Sequence, residues 1–277
     1  MPIQKKRKKL DGIIKKMGKV LIAFSGGVDS TLLVYMAHKL LPGNVLAVTA
    51  VSETYPVGEL QAARILAKKI GVKHLVIKTI ELKNSDFTAN NAERCYYCKK
   101  ELFSALKRLA KKYKLNYVAD AANIDDLRDY RPGSRAGQEL EVRHPLQEAG
   151  FTKQDIRCLS RASGLPTWNK PAQACLASRV PYGHKINTET LQKIDQAEEF
   201  LEKYKLKQAR VRDYGVLARI EVLPVDFKKI LKSNEQIIAY FKKLGYLFVT
   251  LDLAGYRMGS LNEELPVKTK DSQSEKQ

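Results

Sequence analysis

Four apolar runs, KVLIAF (19–24), NVLAVTA (44–50), VKHLVIK (72–78) and NYVAD (116–120), alternate with amphipathic stretches at 30–40, 57–70 and 98–113 that carry helical spacing. Strand and helix in alternation build βαβ units, and parallel strands joined this way bury both faces of one sheet under helices. A further helix is expected near 152–163. Ligands of such sheets bind beyond the carboxyl ends of the strands. The pattern changes after LPTWNKPAQACLASRVPYG (165–183). A helix at 188–204, strand-like ARVRDYG and LARIEV, helical stretches between 225 and 243 and a strand at LFVTLDL predict a second, smaller domain with antiparallel pairing. The fold class is therefore α/β, a doubly wound parallel sheet with a smaller C-terminal α+β domain. The expected organisation is a basic N-terminal helix or arm at 1–17, the sheet domain at 18–170, a cysteine-bearing connector at 171–187, the second domain at 188–265 and a disordered polar tail at 266–277.

The 277 residues are 44% hydrophobic, enough for real cores, and carry a formal net charge of +19. That charge favours anionic ligands. Part of it is local, in QKKRKKLDGIIKKMGK (4–19), which reads as a solvated helix face or, less readily without interleaved aromatics, as a nucleic-acid arm. No apolar segment follows these charges as in a signal peptide, and no run of about 18 apolar residues is present to span a bilayer. A cytoplasmic protein without membrane contact is expected. In that reducing compartment the four cysteines point to metal binding or catalysis before disulfides.

The stretch FSGGVDST (24–31) leaves the first apolar run through two glycines and opens a helix. One reading is an ordinary βα corner, with Asp29 or Ser30 as the helix cap. The sharper reading is a phosphate cradle, because a small-residue loop at a helix N-terminus aims backbone N–H groups and the positive dipole end at an anion. SGGxDS lacks the GK[ST] ending of Walker A. It resembles the PP-loop of the ATP pyrophosphatase superfamily, which implies that Ser25, Gly26, Gly27, Asp29 and Ser30 bind the pyrophosphate of ATP with Mg²⁺ offsetting its charge. A second constellation is formed by cysteines. Cys95 and Cys98 lie in RCYYCKK just ahead of a helix, and Cys175 lies in ACLASR. A zinc site would want a fourth ligand that no second CxxC or HxxxH supplies, whereas three thiolates suffice for three irons of a [4Fe–4S] cluster. Cys158, in the helical run DIRCLSRA, is read as packing.

The order SGGVDS, CYYCKK, DYRPG, WNKPAQACLASRVPYG, RVRDYG, ARIEV and TLDLAGYRMG resembles the ATP-dependent sacrificial sulfur transferases of the LarE family over residues 18–262. The resemblance implies adenylation of a carboxyl group of pyridinium-3,5-biscarboxylate mononucleotide and replacement of its oxygen by sulfur, in the biosynthesis of a nickel-pincer nucleotide cofactor. In the family's single-cysteine branch the cysteine before SR gives up its own sulfur. Here CxxC accompanies Cys175, which resembles the branch where three cysteines, at 95, 98 and 175, hold a [4Fe–4S] cluster carrying an extra sulfide. Catalysis is then expected at Cys175 and Asp29.

Arg179, Arg210 and Arg212 each suit a solvated face, but as a set beside a cysteine they suit a nucleotide phosphate and a free carboxylate of the substrate. Glu198 and Asp226 are candidate metal ligands by position in the resemblance, although both also read as ordinary helix-surface acids. The resemblance also places ligand contacts around Asn123, Asp125, Asp126, Asp129 and Arg131, where turn chemistry alone explains the Asn and Asp residues. Trp168 suits either stacking on a pyridinium ring or a core position. The partners expected are a small nucleotide substrate and a sulfide source, in a homo-oligomer. The alternative is an iron-sulfur-dependent PP-loop tRNA thiolase, which the net charge suits. No RNA-binding module or aromatic-interleaved basic patch is evident in the sequence, so nucleic acid is not expected as a partner.

Overall fold

The structure, a computed structural model, describes residues 1–128, 132–171, 174–257 and 259–265. The candidates Asp129 and Arg131 and the tail at 266–277 lie outside these residues. In chain order the elements begin with α1 (Ile3–Met17), β1 (Val20–Ala23), α2 (Val28–Leu40), β2 (Val45–Val51), α3 (Val57–Ile70), β3 (Lys73–Lys78), α4 (Ser85–Thr88), α5 (Arg94–Lys112) and β4 (Tyr117–Ala119). They continue with α6 (Gly133–Glu139), α7 (Pro145–Glu148), α8 (Lys153–Ala162), α9 (Thr188–Glu202), β5 (Ala209–Tyr214), β6 (Leu217–Val222), α10 (Phe227–Lys232), α11 (Asn234–Lys243) and β7 (Phe248–Leu251). Two compact units result, one of Met1–Glu81 with Cys95–Gln173, the other of Leu82–Arg94 with Ala174–Gln277.

The first unit is built on a parallel sheet of order β3-β2-β1-β4. Side chains alternate across a strand, and each apolar run here serves two cores. Val20 and Ile22 of β1, Val45 and Ala47 of β2 and Ala119 of β4 pack with α1, α2 and α8. Leu21, Leu46, Val48 and Val118 pack on the opposite face with Phe103, Leu106 and Ala110 of α5. The basic N-terminal segment is a docked helix: Leu10, Ile14 and Met17 of α1 are buried, and Lys6 pairs with Asp155 of α8 at 2.5 Å. Asp155 also closes a capping box with Thr152, which fixes where α8 begins. Cys158 is exposed, not packed, because α8 buries the stripe formed by Ile156, Leu159 and Ser160.

The second unit has strand order β5-β6-β7. β5 and β6 pair antiparallel as expected, but β6 and β7 pair parallel. The stretch between them holds α10 and α11, a crossover long enough to return the chain in the same direction. Val211, Ile220, Val222, Ile237 and Phe241 form its core. Residues 82–94, which the sequence reading keeps with the first domain, belong to this unit. The buried Asn90 is the reason: its Nδ2 donates to the carbonyls of Val180 (3.2 Å), Pro181 (2.7 Å) and His184 (2.9 Å), and its own carbonyl accepts from Gly183.

Candidate active site

All four strands of the first unit run parallel, so the loops after them leave one edge, and the Phe24–Gly27 loop sits there. Its floor is pinned by Thr49, whose Oγ1 donates to the Phe24 carbonyl at 2.7 Å and meets His74 Nε2 at 2.8 Å. Burial, with Arg64 nearby, pulls the His74 pKa below its ordinary value, which keeps the ring neutral. Gly26 has a φ of +70°, and an added Cβ would lie 3.3 Å from Ala63 of α3. Both facts favour glycine. Gly27, not Asp29 or Ser30, is the N-cap of α2, and the helix therefore starts at Val28. Ser30 Oγ instead folds back over the loop, accepting from Ser25 N at 3.3 Å and lying 3.1 Å from Ser25 Oγ. The first-turn N–H groups of α2 have no intrahelical acceptor and point at the space the loop encloses.

Two lysines absent from the sequence reading complete this corner. Lys153 pairs with Asp29, and its backbone N–H donates to Asp125 at 2.8 Å. Lys170 pairs with Glu59 at 2.6 Å and reaches the Gly26 carbonyl at 3.4 Å. A readable signal existed for Lys153: it is the first residue of α8, where a cation opposes the helix dipole and needs another reason to be present. Asn123, Asp125 and Asp126 knit the turn after β4, with Asn123 Oδ1 accepting from Asp125 N at 2.9 Å and Asp126 Oδ2 from Asn123 N at 2.9 Å. Trp168 is neither core nor a free platform. It is 37% exposed and Arg161 lies 5.0 Å from its ring.

Cys95 lies inside the first turn of α5 and Cys98 at the start of the second, neither of them ahead of the helix. The helix starts early because the Asn91 side chain accepts from Glu93 N at 2.9 Å and its carbonyl from Arg94 N at 3.1 Å. Spaced by three residues, the two thiols share one side of the helix. Cys95 is exposed and Cys98 half-buried. Gly133 presses on this turn, since an added Cβ would lie 2.8 Å from Lys99 Cγ. Lys99 approaches Asp120 at 3.6 Å, and His144 Nδ1 lies 2.5 Å from the same carboxylate. Burial works against the Asp120 charge, but the His144 hydrogen bond and Lys99 outweigh it and hold the carboxyl at about 2.

In the second unit Cys175 is exposed and caps a 3-10 turn, Leu176–Arg179. Arg179 is fully buried beneath it. Its Nε and Nη2 donate to Glu198 at 3.0 and 2.8 Å, and its Nη1 donates to the carbonyls of Ala174 (2.6 Å) and Cys175 (2.9 Å). Arg212, on β5, donates to the Ser178 carbonyl at 2.7 Å and to the buried Glu221 at 2.6 Å. Two arginines expected at the ligand thus clamp the backbone that presents Cys175. Burial opposes the Arg179 charge, yet Glu198 and Cys175 raise its pKa above the ordinary value. Arg210 goes the other way: burial and the neighbouring Arg179 push it down to about 10, with Arg212 adding to the crowding. Glu198 and Glu221 balance Arg179 and Arg212, so these three guanidinium groups exceed their carboxylates by one positive charge.

Glu198 and Asp226, the candidate metal ligands, are both engaged within the protein. Both Glu198 oxygens are held by Arg179, and Oε1 also accepts from Val211 N at 2.9 Å. Asp226 accepts from Lys207 N at 3.0 Å and faces Lys229 at 2.8 Å. Each oxygen of the two carboxylates already accepts from a cation or an N–H. Among the described residues no three His, Cys, Asp or Glu side chains gather as a metal-binding group. No helix among them is long and apolar enough to cross a membrane.

Residues 14–118 match the asparagine synthase family model. The pyridinium-3,5-bisthiocarboxylic acid mononucleotide synthase of Lactiplantibacillus plantarum is 36% identical over 262 residues, covering 94% of this chain and 95% of that protein. An uncharacterized protein of Synechocystis sp. is 43% identical over 265 residues, 95% of this chain and 99% of the relative. One from Methanocaldococcus jannaschii is 36% identical over 242 residues, 87% of this chain and 92% of the relative.

Proposed function

The chain belongs to the LarE family of ATP-dependent sulfur transferases, and on that footing we propose that it adenylates a carboxylate of pyridinium-3,5-biscarboxylate mononucleotide and replaces its oxygen with sulfur. The observation that carries the reading is the exposed Cys175, presented by a loop whose carbonyls are held by the buried Arg179 and Arg212. A carboxylate is a poor electrophile. Its oxygen attacks the α-phosphorus of ATP, pyrophosphate leaves, and the acyl-adenylate then has AMP as a leaving group. A sulfur nucleophile adds to that carbonyl carbon, AMP departs, and a thiocarboxylate remains.

Ser25, Gly26, Gly27 and Ser30 bind the departing pyrophosphate through backbone N–H groups and hydroxyls. Asp29 holds Lys153 at the loop. Arg210 supplies positive charge for an anionic group of the substrate, while Arg179 and Arg212, balanced by Glu198 and Glu221, hold the loop beside it. Cys95, Cys98 and Cys175 would hold a [4Fe–4S] cluster, which when bound supplies a transferable sulfide without consuming a cysteine. What supports it is thiol chemistry: two exposed or half-exposed cysteines at a helix N-terminus, where thiolates are favoured, and a third at the head of a turn. The test is product analysis with ATP and the mononucleotide. Equal AMP and pyrophosphate release, abolished in Asp29→Ala, is expected; ADP and phosphate would show that the loop does not work as a PP-loop.

A further inference from the structure

The edge of the first unit's sheet opposite the ATP loop carries a charge pattern that the sulfur-transfer reading does not use. In a parallel sheet all strands start at one edge, and here the chain enters β1, β2, β3 and β4 through KKMGK (15–19), HKLLPGN (38–44), KKIGVK (68–73) and KKYKLNY (111–117). These four segments hold ten lysines and no acidic residue. All ten lysines are exposed. The segments are neighbours in space: Val20 N donates to the Asn44 carbonyl at 3.0 Å, Asn116 N to the Lys19 carbonyl at 3.0 Å, and an added Cβ on Gly71 would lie 3.6 Å from His38 Nε2. Strand spacing alone spreads them over roughly 14 Å, before the helix layers are added.

Six other lysines of this unit are matched with acids: Lys6 with Asp155, Lys99 with Asp120, Lys100 with Glu139, Lys107 with Glu141, Lys153 with Asp29 and Lys170 with Glu59. Among the described residues none of the ten edge lysines takes part in an ion pair. A cation in the last turn of a helix is favoured by the dipole, which accounts for one or two per helix. It does not account for Lys19, Lys73 and Lys114 beyond the helix ends, nor for the complete exclusion of acids. Two tyrosines stand in the same strip, Tyr113 at 37% and Tyr117 at 36% exposure, and Lys73 lies 5.1 Å from the Tyr113 ring.

We infer that this edge is a docking surface for single-stranded nucleic acid, bound without sequence preference. Lysine ammonium groups act as mobile point charges toward phosphates, and exposed aromatic rings offer stacking to any base. An anionic membrane would use the charge but has no need of the rings. The surface lies at the strand starts and the ATP loop follows a strand end, so the bound strand is a docking partner and not the sulfur acceptor. The patch is invisible along the chain because it is assembled from segments about a hundred residues apart at the extremes.

The test is fluorescence anisotropy with a labelled oligouridylate across a salt series. If about five phosphates are contacted, the slope of log K against log salt is about −3.5, and affinity falls about a hundredfold between about 50 and 200 mM salt. The triple variant Lys111→Gln/Lys112→Gln/Lys114→Gln should reduce the slope by about 2 and weaken binding at least tenfold. Lys68→Gln/Lys69→Gln/Lys73→Gln, at the other end of the strip, should do the same, so one misfolded variant does not decide the matter. Tyr113→Ala should weaken binding about tenfold at an unchanged slope. Lys5→Gln/Lys8→Gln/Lys9→Gln, away from the edge, should bind like the parent, and ATP-dependent AMP release should be unchanged in all four. Binding insensitive to both edge triples, no binding at low salt, or capture by phosphatidylserine vesicles with none to the oligonucleotide would each overturn the inference.

Discussion

Removing Glu198 tests the idea that Cys175 is held in place by a buried ion pair. Arg179 has no exposed surface, and Glu198 takes its Nε and Nη2 while also accepting from Val211 N. Glu198→Ala therefore leaves a guanidinium in the interior without its counter-charge, and orphans a backbone donor. Breaking one side of a buried pair costs about 3–5 kcal/mol, against a typical total stability of about 5–15 kcal/mol. At about 2–4 °C per kcal/mol for chains of this size, melting should fall by roughly 10 °C. The double variant Arg179→Met/Glu198→Leu replaces the pair with apolar groups of similar volume and should recover most of that stability. It should not recover sulfur transfer, because Ala174 and Cys175 still lose the Nη1 donor that fixes their carbonyls. Calorimetry and thiocarboxylate formation measured on the same three proteins separate the two roles. A cost below about 1 kcal/mol for Glu198→Ala, or transfer restored in the double variant, would refute the clamp.

Asp120 sits near 2 in the folded protein and near 4 when unfolded, so its stabilisation is complete above about pH 4 and is lost as pH falls toward 2. The shift corresponds to about 2 kcal/mol, and Asp120→Asn should flatten the acid limb of the stability curve by that amount; an unchanged limb would assign the acid sensitivity elsewhere. Lys153→Met should cut AMP formation at least tenfold, mainly through the apparent ATP constant, because the lysine at the loop is lost while Arg210 and the Cys175 clamp stay intact; unaltered ATP kinetics would make the pair with Asp29 purely structural. Anaerobic reconstitution should give about four irons per chain, lost when Cys95, Cys98 or Cys175 is replaced and kept in Cys158→Ser. A colourless active protein whose Cys175 peptide loses H₂S would instead assign the transferred sulfur to that cysteine.

The sheet was legible because its strands are buried on both faces, which leaves continuous apolar runs such as VLIA and VLAV with no competing helical period. The ATP loop was legible because Gly26 meets a constraint, positive φ beside Ala63, that few other residues tolerate. What escaped depends on single polar side chains acting across long separations. Asn90 draws residues 82–94 into the second unit through three carbonyls about ninety residues away, and no pattern in NNAERC announces that. Arg212 and Arg210 lie two residues apart on β5, yet the pairing with β6 sets Arg210 opposite Glu221 while the bond to that buried carboxylate comes diagonally from Arg212, a choice that local sequence does not carry. Cys158 misled because an apolar cysteine in a helix is usually buried, whereas the buried stripe of α8 passes one residue away, through Leu159.

The central claim is that ATP is spent to exchange a carboxylate oxygen of the mononucleotide for sulfur. Mass spectrometry of the nucleotide after anaerobic incubation with ATP, Mg²⁺ and a sulfide source tests it directly. The account predicts a product heavier by one oxygen-for-sulfur exchange, formed with equal AMP and absent in Asp29→Ala. ATP cleaved to AMP with the nucleotide mass unchanged, or sulfur entering tRNA while the nucleotide is ignored, would contradict it.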